Sequence, residues 1–343
     1  MAWMVYGANG YTGRLIAELA VRRGETPILA GRSRDAVAEL AGRLGLEHRV
    51  FALDAPQDAR NALAGVEVVA HCAGPFSATS GPMVAACLAT GTHYLDITGE
   101  IDVFEDIFRQ HDAAERAGVV LLPGAGFDVV PTDCLAATLA AQLPTATSLD
   151  LAFVAEGGMS PGTAKTTVES GFAGGRVRED GELRAVPLGH RKAIAVFRSG
   201  PRRVSAVPWG DLSTAYRSTG IPNITTYTTL PGPVGTAQSV LAPLLRAPIT
   251  QRIGKELADR LVSGPSEARR AASHCQVWGE ARDEDGGRVS ASLSGPNAYS
   301  LTADAVLRAV ARLTEGGVVP GAHTPSSALG ADFVTTLDGV EGP

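Results

Sequence analysis

The feature that most constrains this chain is a glycine-rich turn close to its amino terminus. Ala2-Trp3-Met4-Val5-Tyr6 is a short apolar run, and Gly7-Ala8-Asn9-Gly10-Tyr11-Thr12-Gly13 follows at once. Leu15, Ile16, Leu19 and Ala20 then recur at helical spacing between Arg14 and Arg23. Strand, glycine turn and helix, in that order, are the context in which a dinucleotide pyrophosphate is bound. Gly7 permits the tight turn, Gly10 keeps a Cβ out of the path of the pyrophosphate, and Gly13 lets the helix pack close to the strand. The first free N–H groups of the helix then face the anion. The spacing is G-x-x-G-x-x-G rather than G-x-G-x-x-G, so the position of the glycines between strand and helix carries the reading. Asn9, Tyr11 and Thr12 fill the turn and count with it as cofactor-facing.

The second strand, Pro27-Ile28-Leu29-Ala30, ends in Gly31-Arg32-Ser33-Arg34. An NAD site would carry an acid here for the ribose 2′-hydroxyl. Instead the chain offers two guanidinium groups and a hydroxyl, which suit the dianionic 2′-phosphate of NADP. Arg34 serves equally well as the first residue of an exposed helix over 34–44.

Alternation continues. Arg49–Ala52 and Val66–Ala70 read as strands three and four, and the latter runs into Cys72-Ala73-Gly74-Pro75. Strand four of a doubly wound sheet ends beside strand one, so those small residues suit the nicotinamide-side ribose. A helix over 82–89 follows, then His93–Asp96 as strand five, an amphipathic helix over 101–117, and Val119–Leu122 as strand six. Such alternation implies a parallel sheet covered on both faces. The next turn, Pro123 to Asp133, leaves the carboxyl end of a strand, where open α/β sheets place their ligands. Gly124, Gly126 and Phe127 are assigned to the cofactor and Asp128 to the site, while Thr132 or Asp133 suits the cap of the helix over 134–143.

Beyond Ser148 the pattern becomes runs of strands: 149–155, 186–197, 203–207, 224–230, and 276–282 with 288–293 around the hairpin turn Asp285-Gly286-Gly287. Helices are expected over 161–173 and 299–313, and a last strand over 332–337. The expected division is a Rossmann domain over 1–135, an α+β substrate domain over 136–314, and a carboxyl-terminal segment from about 315 to 343 that packs back on the first.

At 343 residues the chain accommodates two cores. A formal charge of −6 with no basic tract excludes nucleic acid as a partner. The four cysteines form no C-x-x-C pair and no His stands at ligand spacing, so neither a metal site nor a disulfide framework is expected. With no signal-peptide pattern at the start, the expected compartment is reducing and cytoplasmic. The apolar stretch Pro233–Pro248 is too short to span a bilayer and suits an interfacial, lipid-contacting or substrate-facing helix. A homodimer is among the assemblies left open.

The motifs Tyr6–Gly13, Ala30–Ser33, Cys72–Phe76, Tyr94–Glu100 and Gly126–Asp133 resemble those of the saccharopine dehydrogenase-like oxidoreductases, and more closely their bacterial branch that includes trans-acting enoyl reductases. The resemblance is strong over about the first 135 residues. It implies an NADP-binding Rossmann domain, a separate substrate domain and hydride transfer, to an enoyl C=C or to an amino-acid-derived imine. An enoyl substrate needs a donor to its carbonyl oxygen and an acid for its α carbon. Lys165 and Tyr227 are candidate acids. An imine needs a carboxylate beside the iminium, for which Asp128 and Glu100 are candidates. Saccharopine chemistry also needs arginines for carboxylates, and Arg176, Arg178, Arg191, Arg202 and Arg203 are available, although a solvated charged face accounts for most of them. No Tyr-x-x-x-Lys pair of the short-chain dehydrogenase type follows strand five. The rival from another class is a non-catalytic NADP-binding interaction protein; clear preference for NAD would instead favour an oxidative amino-acid dehydrogenase.

Overall fold

The computed structural model describes residues 2–160, 162–164, 174–229 and 264–342. The chain forms two compact units: Met1–Val130 with Tyr299–Gly330, and Pro131–Ala298 with Ala331–Pro343.

In the first unit β1 (Trp3–Tyr6), β2 (Ile28–Gly31), β3 (His48–Val50), β4 (Val68–His71), β5 (His93–Asp96), β6 (Val120–Leu122) and the short strand Gly321–Ala322 make one seven-stranded sheet. Its order is Gly321–Ala322, β6, β5, β4, β1, β2, β3, and every pairing is parallel. The order reverses at β1, which sets Met4 against Ile28 on one side and Trp3 against Val68 on the other. A crevice at the carboxyl ends of the strands follows from that reversal. Strands β1, β2 and β4 are buried throughout, as a sheet covered on both faces requires. Met4, Tyr94, Phe104 and Leu121 belong to the resulting core.

The helices around it are α1 (Tyr11–Arg22), α2 (Arg34–Leu44), α3 (Pro56–Leu63), α4 (Phe76–Thr90), α5 (Ile101–Phe108) and α6 (His111–Ala117). Three differ from the sequence reading. The single helix expected over 101–117 is broken, because the Gln110 N–H turns to the Ile107 carbonyl at 2.9 Å and tightens the last turn. Helix α4 begins six residues before Pro82, which therefore lies inside it rather than at its start. Helix α3 was not anticipated.

The long helix Ala298–Glu315 lies almost wholly in the first unit, not in the second where the sequence suggested it. Its apolar face is buried, and Asp304, itself buried, pairs with Arg23 at 2.6 Å and with Arg308 at 2.9 Å. Of the carboxyl-terminal segment, residues to Gly330 belong to the first unit and residues 331–343 to the second. The strand expected over 332–337 is a 3₁₀ turn, Phe333–Thr336. There the Thr335 N–H and hydroxyl both donate to the Asp332 carbonyl, a local bonding pattern that competes with a strand ladder.

The second unit holds an eight-stranded mixed sheet. Its strands are β7 (Ser148–Ala155), β8 (Gly175–Glu179), β9 (Glu182–Val186), β10 (Lys192–Phe197), β11 (Gly200–Ala206), β12 (Asn223–Thr228), β13 (His274–Arg282) and β14 (Arg288–Pro296). The main path runs β10, β11, β12, β7, β13, β14, with β8 beside β12 and β9 beside β8. Every pairing is antiparallel except that of β7 with β12. The expected hairpin joins β13 and β14, with Arg282 opposite Arg288. Helix α7 (Val130–Gln142) packs on the sheet where Gly279 leaves room: a Cβ there would lie 2.8 Å from Leu139 Cδ1. Residues 162–164 are helical; the rest of the helix expected over 161–173 and the whole apolar stretch 233–248 lie outside the described residues.

Asp304→Asn is expected to lower the stability of the first unit by about 2 kcal/mol, the scale of a partly exposed charge pair broken on its buried side. Urea unfolding should show a lower midpoint with an unchanged slope.

Candidate functional site

The turn after β1 has the backbone geometry of an anion seat. Gly7 sits at φ 81°, a left-handed conformation that disfavours a side chain, and its N–H donates to the Ala30 carbonyl at 2.8 Å. A Cβ on Gly7 would lie 2.8 Å from the Ala73 nitrogen and 2.9 Å from the Cys72 carbonyl carbon, so the turn after β4 closes directly on it. A Cβ on Gly13 would run into the Gly7 carbonyl oxygen and approach Ala8 Cα at 3.0 Å. Glycine is therefore required there for close packing of helix and strand. Helix α1 has no side-chain cap on Gly10 and no acid in its first turn. Its leading N–H groups and the positive end of its dipole thus remain available to an anion. Asn9 and Gly10 are exposed, and Tyr11 and Thr12 half-buried.

Arg32, Ser33 and Arg34 stand exposed at the end of β2, and Ser33 precedes α2 without spending its hydroxyl as a cap. Among the described residues neither arginine forms an ion pair, so both guanidinium groups are free to meet a phosphate. These features fit a dinucleotide with a charged adenosine end. A side chain at Gly7 would instead push the turn after β4 away from it.

Around β4, β5 and β6 the carboxyl ends of the strands are tied together by carboxylates. Asp96, fully buried at the end of β5, accepts from the Tyr94 hydroxyl at 2.6 Å and from the backbone N–H groups of Thr98 at 3.0 Å and Gly124 at 2.8 Å. Burial pushes its carboxyl up to about 6, with those bonds pulling the other way. Through them Asp96 fixes the turn after β5 to the turn after β6. The sequence reading had placed Asp96 in a motif without giving it a role. Gly124 is left-handed at φ 76°, and a Cβ there would strike the Phe104 ring at 2.9 Å. The Phe127 N–H donates to the Thr302 hydroxyl at 3.0 Å, while Tyr299 sets its ring edge-on against Tyr11 with centroids 5.0 Å apart. The helix Ala298–Glu315 therefore supports both the turn before α1 and the turn after β6, a contact no local pattern announces.

Asp128 follows Phe127 and lies against the loop after β5: a Cβ on Gly99 would be 3.0 Å from Asp128 Oδ2. Desolvation by burial pushes its carboxyl up to about 7, so that near neutral pH it exists in both proton-bearing and ionised forms. Glu100 is placed differently from its expected role beside a substrate. Its two carboxylate oxygens accept from the N–H groups of Phe76 at 2.9 Å and Ser77 at 2.8 Å, at the amino end of α4. Cys72 is partly accessible, and burial of its sulfur pushes the thiol up, which keeps it protonated and favours a small packing surface over a nucleophile.

Tyr227 lies in the second unit, fully buried beside Trp278, with its hydroxyl donating to Asp150 Oδ1 at 3.1 Å. Burial raises its pKa further. Asp150 in turn pairs with Arg282, which also meets Glu280 at 2.8 Å. Tyr227 is accordingly a core residue closing a polar cluster on the sheet. The arginines proposed for carboxylate recognition do not converge. Arg178 is buried against the Leu212 and Gly181 carbonyls and over the Tyr216 ring, Arg191 reaches Asp150 at 3.9 Å, and Arg202 donates to Ser199. Lys165 lies outside the described residues. Among the described residues no cluster of His, Cys, Asp and Glu is placed to hold a metal, and no helix is long and apolar enough to cross a membrane.

Comparison with known proteins agrees with this geometry. Residues 3–122 match the family described as "Saccharopine dehydrogenase NADP binding domain". A trans-acting enoyl reductase of Mycobacterium leprae is 38% identical over 138 residues, covering 38% of this chain and 33% of that protein. A saccharopine dehydrogenase-like oxidoreductase of Bos taurus is 29% identical over 150 residues, covering 38% and 35%. The matched segments thus span about a third of those relatives. The apo saccharopine dehydrogenase (L-Glu forming) of Saccharomyces cerevisiae superposes with a TM-score of 0.67 at 11% identity, over 100% of this chain and 99% of that one. The fold is therefore that of saccharopine dehydrogenase.

Asp128→Asn provides a test of the raised carboxyl. In the folded chain Asp128 keeps its proton up to about 7, whereas in the unfolded chain it loses it near ~4. The wild type therefore loses folding stability as pH rises through that window, and the amide does not. The melting temperature of the variant relative to wild type should climb between pH 5 and pH 8. A constant difference would contradict the shift.

Proposed function

We propose, from the premise that residues 3–122 belong to the saccharopine dehydrogenase NADP-binding domain family, that this chain is an NADPH-dependent reductase of an electron-poor carbon. The observation that carries this reading is the uncapped α1 terminus behind Gly7, Gly10 and Gly13, with Arg32, Ser33 and Arg34 exposed at the end of the neighbouring strand. The turn would hold the pyrophosphate on the α1 N–H groups, and the two guanidinium groups would take the 2′-phosphate. Cys72–Pro75 and Gly124–Phe127 would flank the nicotinamide half. When bound, the dinucleotide supplies a hydride.

The chain's own contribution to chemistry centres on Asp128. A carboxyl poised near neutrality can give a proton to a substrate carbon or oxygen and recover it from water. That suits reduction of a conjugated C=C, in which the α carbon must be protonated. The relatives named trans-acting enoyl reductase support an acyl substrate of this kind, and so does the engagement of Arg178 and Arg202 with partners inside the fold. Reduction of an amino-acid-derived imine is the second reading, favoured by the fold shared with saccharopine dehydrogenase, with Asp128 then facing the iminium.

Titration with NADPH and NADH, followed by nicotinamide fluorescence, tests the cofactor assignment. Wild type should bind NADPH at least tenfold more tightly, and Arg32→Ala should remove most of that preference while leaving NADH binding in place. Equal affinity for both cofactors in wild type would exclude the assignment of Arg32.

A further inference from the structure

The residues from Cys72 to Ser77 leave the end of β4 and press against Gly7, at the place where the strand order reverses. Loops at such a point are ordinarily free to adjust, yet this one is gripped from both sides. On its outer side Glu100 spends both carboxylate oxygens on the Phe76 and Ser77 N–H groups, two of the donors that α4 cannot satisfy itself. The bonds are charge-assisted and placed at the positive end of a helix dipole. Glu100 is in turn set by the loop after β5, where its own N–H donates to the Thr98 hydroxyl at 3.1 Å.

On its inner side the Thr79 hydroxyl lies 2.7 Å from the Ala73 carbonyl and 3.0 Å from that of Pro75. His71 Nε2 is 3.0 Å from the same hydroxyl. Thr79 has one proton to give and two carbonyls to receive it, so the imidazole must be the donor, with Nε2 protonated and Nδ1 bare. His71 is fully buried among Tyr6, Phe76 and Tyr94, which holds it neutral in that tautomer. The chain from His71 through Thr79 to the turn carbonyls complements the clamp by Glu100 on the N–H groups beyond. The donors of this short turn are fixed by Glu100 from the loop after β5, and its acceptors by Thr79 of the helix that the turn enters.

We infer that Glu100 and Thr79 are positioning residues, which hold the Cys72–Ser77 turn in the conformation that receives the nicotinamide half of the dinucleotide and act through its backbone rather than on the substrate. Glu100 thereby leaves the catalytic set. Its carboxylate also fills the amino end of α4, so that the open terminus of α1 is the seat left for the pyrophosphate. The inference rests on the NADP reading and adds a division of labour to it: Arg32 governs the adenosine half, and Glu100 with Thr79 governs the nicotinamide half.

Fragment binding separates the two halves. Adenosine 2′,5′-bisphosphate carries the adenosine end alone, and NADPH carries both. In wild type, Arg32→Ala, Glu100→Ala, Thr79→Val and Thr79→Ser, both ligands are titrated by calorimetry, with bound-NADPH emission recorded in parallel. Glu100→Ala and Thr79→Val should weaken NADPH about tenfold, lower its bound emission, and leave the bisphosphate within twofold of wild type, while Thr79→Ser restores NADPH binding. A variant that merely loosens the fold would weaken both ligands together, and that result, or no change in either, overturns the inference. Failure of wild type to bind either ligand removes the cofactor reading, and this inference with it; loss confined to Arg32→Ala leaves this inference false and the cofactor reading intact.

Discussion

The candidate site depends on one close approach of backbone to backbone. The turn after β1 and the turn after β4 meet at Gly7, with no room for a methyl group between Gly7 and Ala73. A parallel sheet whose order reverses at β1 brings these two turns together, and a glycine allows them to touch. On the proposed reading, main-chain N–H groups of the turn after β1 would recognise charge and shape common to every dinucleotide. Discrimination would then fall to Arg32 and Arg34 on one side, and to the turns carrying Cys72–Ser77 and Gly124–Asp128 on the other.

Those turns are stiffened by buried polar groups. Asp96 binds three donors from two elements, and Glu100 binds two from α4. A buried carboxylate costs free energy unless its lone pairs are satisfied, and breaking such a set leaves an unpaired charge. Asp96 is satisfied by a phenol and two backbone amides, an arrangement that costs stability if the turns move apart. Desolvation pushes the Asp128 carboxyl up to about 7 and that of Asp96 to about 6, where hydrogen bonds pull the other way, so Asp128 keeps its proton to the higher pH. One of the two acids holds the loops together, and the other is the one proposed to exchange a proton.

Much of the first unit was legible in the sequence because its signals are local. Strand, turn and helix follow one another within thirty residues, and the absence of an acid after β2 is read directly from Gly31-Arg32-Ser33-Arg34. What escaped was non-local. The helix Ala298–Glu315 returns to support Tyr11 and Phe127, and nothing in its amphipathic spacing says which core its apolar face covers. Glu100 looked like a reactive acid because composition cannot distinguish a carboxylate that caps a helix from one that faces a substrate. Tyr227 looked accessible because a Thr-rich alternating strand reads the same whether its far face meets solvent or Asp150. The 332–337 segment reads as a strand by propensity, and the Asp332–Thr335 bonds take it into a 3₁₀ turn.

Amide hydrogen exchange with and without NADPH tests the central claim most directly, since it reports where the backbone is met. The account requires protection on cofactor addition at Ala8–Gly13, at Cys72–Ser77 and at Gly124–Phe127, with the β7–β14 sheet unchanged. Protection confined to the second unit, or none at the Ala8–Gly13 amides at saturating NADPH, would contradict it.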